Sequence, residues 1–282
     1  VQEELLADIG KFAEYVKTNA PEQGAAMSYA YMTPRGYESY SYSWAENITL
    51  DASQPLSILN HVGGTPLAFY AARGKSSPED YDNMAKFAER IGYYVEKIAL
   101  PTADPEEQEA YAKLKADFMP LIERAGGVVR DKLIPAFEDG QGAFVLDAKS
   151  KSAAWHMALP PSDPPLPMLE FGMVFGVSDA SLAREAFGEF FTLTQEALDK
   201  LHEASTGELK DMFEEEVPQI TLTKPQTHEA GGGTIYFYAL PAASGVDKQL
   251  APNGGLSDEV MAVSLLPRFT ERLMTNTPVA GE

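Results

Sequence analysis

The chain has 282 residues, 44% apolar and 23% charged, which permits one large or two ordinary domains and excludes disordered, collagen-like and coiled-coil classes. Acidic residues outnumber basic ones 42 to 22, a net charge of −20, so nucleic-acid phosphates and anionic membrane surfaces are repelled. The absence of cysteine removes disulfides, thiol catalysis and cysteine-ligated metals together, and no stretch approaches the ~18 apolar residues of a membrane span.

Leu5, Leu6, Ile9, Phe12 and Val16 mark a helix over residues 3 to 17. Residues 25 to 32 and 37 to 45 then alternate with period two around Thr33-Pro34-Arg35-Gly36. Proline presets the second turn position and glycine suits the fourth, so these segments form a hairpin. An apolar strand follows from Pro66 to Ala72. Ser77-Pro78-Glu79-Asp80 starts a helix that runs to about Ala99, with Ser77 as its cap. Asp104-Pro105 starts another, which Pro120 should kink or end, and a third spans Val128 to Phe137.

Strands are then expected at Gly142 to Ala148, Ala153 to Ala158 and Met168 to Val177, with a proline-rich linker from Pro160 to Pro167. A long helix begins at Ser178-Asp179, with Ser178 capping, and a short one at Ser205-Thr206-Gly207-Glu208 with capping-box spacing. Gln219 to Lys224, Thr234 to Leu240 and Val260 to Leu266 read as strands, and Pro267 to Met274 as a closing helix.

The order reads as three copies of a helix–hairpin–strand–helix unit, an α+β class with mainly antiparallel sheets and helices packed on one face. Tyr42-Ser43-Trp44-Ala45 corresponds to Tyr236-Phe237-Tyr238-Ala239 in the first and third copies. Gly63-Gly64 likewise corresponds to Gly254-Gly255. The expected division is residues 1–140 for the first unit and 141–282 for the second and a partial third.

Most chemical motifs fail at one position. Arg73-Gly74-Lys75-Ser76 resembles the end of a phosphate loop, but Phe69 stands where its first glycine belongs. His202-Glu203 and His228-Glu229 lack the second histidine of a zinc helix, having Thr206 and Gly232 instead, and the four histidines share no ligand spacing. Gly176-Val177-Ser178 and Gly255-Leu256-Ser257 lack the closing glycine of a nucleophile elbow. No metal or cofactor is expected. Asn47-Ile48-Thr49 has the glycosylation pattern.

Two sets of residues carry chemical content. If Thr33 pairs with Gly36, Tyr29 lies opposite Tyr40, and one hairpin face carries Tyr29, Tyr31, Tyr40, Tyr42 and Trp44. Such a strip can stack on sugars or bind a protein, or it can be the inward face of a half-buried sheet. Glu170 is expected on the strand face opposite Leu169, Phe171, Met173 and Phe175, beside Gly172 and Gly176 and an open gap. With Asp147, similarly placed, it is the candidate carboxylate pair for hydrolysis.

The order of short strands, an apolar strand and a capped helix, as in Gly142 to Leu201, resembles bacterial extracytoplasmic proteins that repeat such units. The resemblance implies a secreted or periplasmic location and carries no functional residues with it. The leading expectation is a non-catalytic binding or assembly protein with a protein or glycan partner. The competing one is a carboxylate-dependent hydrolase acting on a glycan or peptide.

Overall fold

A computed structural model describes residues 2–20, 22–34, 36–47, 49–75 and 78–279. It is a mixed α+β fold whose elements follow in the order α1 (Gln2–Asn19), β1 (Ala26–Thr33), β2 (Gly36–Ser43), β3 (Ala68–Arg73), α2 (Pro78–Tyr94), α3 (Pro105–Val128), α4 (Ile134–Ala136), β4 (Gln141–Asp147), β5 (Lys151–Ser152), β6 (Leu166–Pro167), β7 (Glu170–Gly176), α5 (Ala180–Thr206), β8 (Gln226–Ala230), β9 (Gly233–Phe237), β10 (Asn253–Leu256), β11 (Val260–Ser264) and α6 (Pro267–Met274).

Two compact units divide the chain. The smaller comprises residues 1–50 and 83–104. In it α1 meets the α2 segment through stacked Phe12 and Phe87, 5.0 Å between centroids, and through Asp8, which accepts hydrogen bonds from Tyr94 and Arg90. Among the described residues β1 and β2 pair only with each other, and both hairpin faces are exposed. Ser77, Arg35 and Ile48 lie outside the described residues, and with them the expected cap of α2, one position of the hairpin turn and the centre of the glycosylation pattern.

The larger unit comprises residues 51–82 and 105–282 and holds a seven-stranded antiparallel sheet of order β3-β4-β7-β11-β10-β9-β8. The sheet takes β3 from before residue 140 and every other strand from after it. Its inner face buries Val145, Val174, Ala262 and Ile235 against Phe269 and Leu273 of α6 and against Ile58 and Val62 of the preceding loop. α6 can lie this close because glycines stand beneath it. A Cβ on Gly172 would meet Leu273 at 2.5 Å and Phe269 at 2.9 Å, and one on Gly255 would meet Thr270 at 2.9 Å. α5 lies over the other face, where Ala183 packs with Leu256 and Met261. It also packs against α3 through Ala186 and Leu193 on Leu121 and Val128. Away from α5 that outer face is open, with Tyr70, Phe144, Phe171 and Met173 exposed.

Several expectations change. Pro120 does not end α3, because it is exposed and α3 packs on α5 through residues beyond it, Leu121 and Val128, so packing holds the helix across the lost bond. Residues 219–224 form no strand. The Gln195 side chain takes Ile220 O and the Leu222 amide, the groups a ladder would use, and Pro225 follows. The strand expected at 153–158 is absent except for a single bridge between His156 and Val246, and β5 pairs just before it, at 151–152. Asp179, not Ser178, caps α5 by accepting from the Ser181 and Leu182 amides. Ser205 lies in the last turn of α5 and starts no helix; its hydroxyl donates to His202 O and accepts from the Val217 amide. The first hairpin stands outside the large sheet while β8–β9 lies within it, so these two spans are not equivalent in space.

Candidate functional site

The hairpin register is the one its turn residues dictate. Thr33 faces Gly36, Tyr29 faces Tyr40 and Tyr31 faces Glu38. The same-face side chains therefore gather. Tyr29 stacks on Tyr40, Tyr42 and Tyr31 with centroids 5.4, 6.1 and 6.2 Å apart, and Tyr31 stacks on Tyr40 at 6.0 Å, all within 20° of parallel. Each of these four tyrosines keeps 41 to 46% of its surface exposed, and Trp44, one residue beyond β2, keeps 63%. The strip is thus an outward ladder, not the inward side of a larger sheet.

The rings lie nearly parallel with centroids 5.4 to 6.2 Å apart, an offset arrangement that leaves a large part of every ring accessible. Hydrogen bonding from Tyr42 raises the Tyr29 phenol above its usual pKa, and hydrogen bonding from Tyr31, with the nearby Glu38 charge, does the same for Tyr40. Both shifts keep the Tyr29 and Tyr40 phenols protonated at neutral pH.

Glu170 and Asp147 are brought together as direct cross-strand partners of β7 and β4, with 0% and 2% of their surface exposed. The open gap expected beside Glu170 does not exist, because Leu273 and Phe269 fill the space over Gly172 and Asp139 that over Gly176. Glu170 accepts from Arg272 at 2.6 Å, from the Ser150 hydroxyl at 2.5 Å and from the Lys149 amide at 2.9 Å. Asp147 has Lys149 Nζ at 2.9 Å and Arg272 at 3.5 Å. Burial pushes the Glu170 pKa up, but the bonds from Arg272, Ser150 and the Lys149 amide outweigh it and leave the carboxyl below its ordinary range. A general acid must hold a proton near neutrality and reach a substrate; Glu170 does neither.

Arg272 and Lys149 were not legible as partners. Arg272 sits on α6, far along the chain from both carboxylates, and only an unpaired acidic residue on a strand face signals that some cation must reach it.

The remaining candidates have structural roles. Arg73 is buried, donates to Asp139 O, Gln54 O and Pro55 O and pairs with the Asp139 carboxylate at 3.4 Å, so its guanidinium is already occupied; Ser76 lies outside the described residues. Nδ1 of His61 and of His202 lies against backbone carbonyls of Leu273 and Val217, and His156 Nδ1 accepts from the Ala158 amide. Ser178 Oγ accepts from the Asp139 amide, and Ser257 Oγ donates to Val260 O, so both potential nucleophiles close turns. Among the described residues no group of three or more histidines and carboxylates is placed to hold a metal ion, and no helix is long and apolar enough to cross a membrane.

No known protein family, curated protein or solved structure matches this chain.

Proposed function

We propose that this is a non-catalytic binding or assembly protein that engages a protein partner through the tyrosine face of the β1–β2 hairpin. The observation carrying the reading is the ladder itself, four stacked and exposed tyrosines on a hairpin that no other strand joins among the described residues. Tyrosine joins apolar area to a hydrogen-bonding tip and loses little entropy on immobilisation, which is why it is enriched at protein interfaces. The buried, saturated Glu170–Asp147 pair supports a non-catalytic role. The extracytoplasmic setting belongs to the same proposal and rests on the resemblance in element order.

The test places a photo-crosslinking amino acid at Tyr31 on the ladder face or at Ser39 on the opposite face, in extracts containing native partners. A protein adduct specific to position 31, lost when Tyr29→Ser and Tyr40→Ser are added to a chain that still melts normally, is expected. Equal labelling from both faces would overturn the proposal. So would oligosaccharides that raise the Tm of the native chain but not of the Tyr40→Ala, Trp44→Ala variant.

A further inference from the structure

A second site lies in the larger unit, independent of the hairpin. Between α5 and the outer face of the sheet runs a cavity of about 780 Å³, within the size range of small-molecule sites. Its roof is one stripe of α5, with Phe187, Gly188, Phe191 and Thr192 at helical spacing. Its floor is the cross-strand row Tyr236, Gly254 and Val263.

Two glycines open it. A Cβ on Gly188 would meet nothing within 4 Å, and one on Gly254 would make only ordinary contacts at 3.7 and 3.8 Å. Neither glycine has a positive φ. The space is therefore a missing side chain on each wall, not a strained turn. The floor row continues from Val263 to Met173, Phe144 and Tyr70, so the cavity drains onto the open apolar face of the sheet.

The charged lining has one sign. In a chain of net charge −20, Arg184 and Lys224 line the cavity and no carboxylate does among the described residues. Arg184 has an exposed partner, Asp258, at 3.5 Å, whereas Lys224 has no ion pair among the described residues. The bond between Gln195 and the Leu222 amide ties the 217–224 stretch alongside α5, which sets Lys224 near the Phe191 end. Arg184 stands two helical turns away, about 10 Å at 1.5 Å per residue.

An apolar cavity that continues onto an open apolar sheet face and carries an ammonium with no ion pair among the described residues is complementary to one ligand chemistry, an alkyl chain ending in an anion. We infer that this cavity binds a free long-chain carboxylate, with Lys224 holding the head and the chain lying between Phe187 and Phe191 above and Tyr236 and Val263 below. The tail extends over Val263 toward Met173.

The experiment titrates palmitate, below its micellar concentration, into the full chain by calorimetry, with hexadecanol and anionic phosphatidylglycerol vesicles as comparison probes. The expected result is saturable one-to-one binding of palmitate and a raised Tm. Gly188→Leu should fill the roof and weaken binding at least tenfold while the helix stays folded, since glycine is the poorer helix former. Gly254→Val fills the floor as a second, independent block. Lys224→Glu should weaken palmitate tenfold and leave hexadecanol unchanged, and Tyr29→Ser with Tyr40→Ser should leave palmitate binding intact. No binding of palmitate by the native chain would overturn the inference. So would affinity indifferent to both filling variants, equal loss of palmitate and alcohol in Lys224→Glu, or vesicle binding in place of binding to the free acid.

Discussion

Arg272 Nη2 lies 2.6 Å from Glu170 Oε2 and 3.5 Å from Asp147 Oδ2, so one guanidinium on α6 clasps two carboxylates that face each other across β4 and β7. The arrangement fastens α6 to the sheet at a point where the neighbouring residues are apolar, and Lys149 completes the neutralisation.

Removing the cation should therefore cost far more than removing a surface charge. Arg272→Met leaves Glu170 buried and short of its main partner. We expect a loss of about 3 kcal/mol in urea unfolding, the low end for a broken buried pair because Arg272 itself is partly exposed. The double variant Arg272→Met, Glu170→Gln should recover part of it. The Glu170 pKa is lowered on folding, so its contribution is complete above the ordinary glutamate range and is lost as pH falls through its lower folded value. A variant no less stable than the native chain would contradict this.

Asp8 gives a second pH signature, in the smaller unit. The Tyr94 hydroxyl and then the Arg90 guanidinium lower its pKa from 3.8 to about 2. A depressed acid stabilises above its unfolded value and ceases to do so as pH falls through its folded one. The Asp8 link between α1 and α2 should accordingly persist at pH 3 and fail near pH 2. Carbon NMR titration of the Asp8 carboxyl should give a midpoint near 2, and a midpoint at the ordinary 3.8 would show the link is not formed in solution.

Glycine substitutions should split in sign. Gly172→Ala forces a Cβ into Leu273 and Phe269 and should destabilise by about 1–3 kcal/mol. Gly188→Ala enters open space on α5 and should stabilise by roughly 0.5–1 kcal/mol. Equilibrium unfolding of the two variants side by side checks both.

The cap of α5 offers a smaller effect. Asp179→Ala removes the acceptor for the Ser181 and Leu182 amides and should cost about 1 kcal/mol, whereas Asp179→Ser should retain most of it. A melting comparison of the two distinguishes capping from any charge effect.

The sequence carried its local structure well and its packing poorly. The hairpin register follows from Thr33 and Gly36, and the helices from their apolar spacing and N-terminal prolines, because these are decided by neighbours in the chain. On β7 the alternation was readable but its sense was not. Leu169, Phe171 and Met173 look like the inward face, yet Gly172, Val174 and Gly176 are buried with Glu170. Close approach of α6 requires side-chain-free positions, and that demand is set by a helix nearly a hundred residues away. β10 was invisible for the same reason. Asn253-Gly254-Gly255-Leu256 has no strand propensity, and Gly255 is there because Thr270 occupies the place of its Cβ.

The tyrosine ladder also makes the hairpin an optical instrument. Phenol rings held nearly parallel at 5.4 to 6.2 Å are close enough for their electronic transitions to mix, so the near-ultraviolet circular dichroism of the set differs from that of separate tyrosines. Tyr29 touches three of its neighbours. Whatever settles on this face must disturb that shared spectrum, and the protein reports its own occupancy without a label.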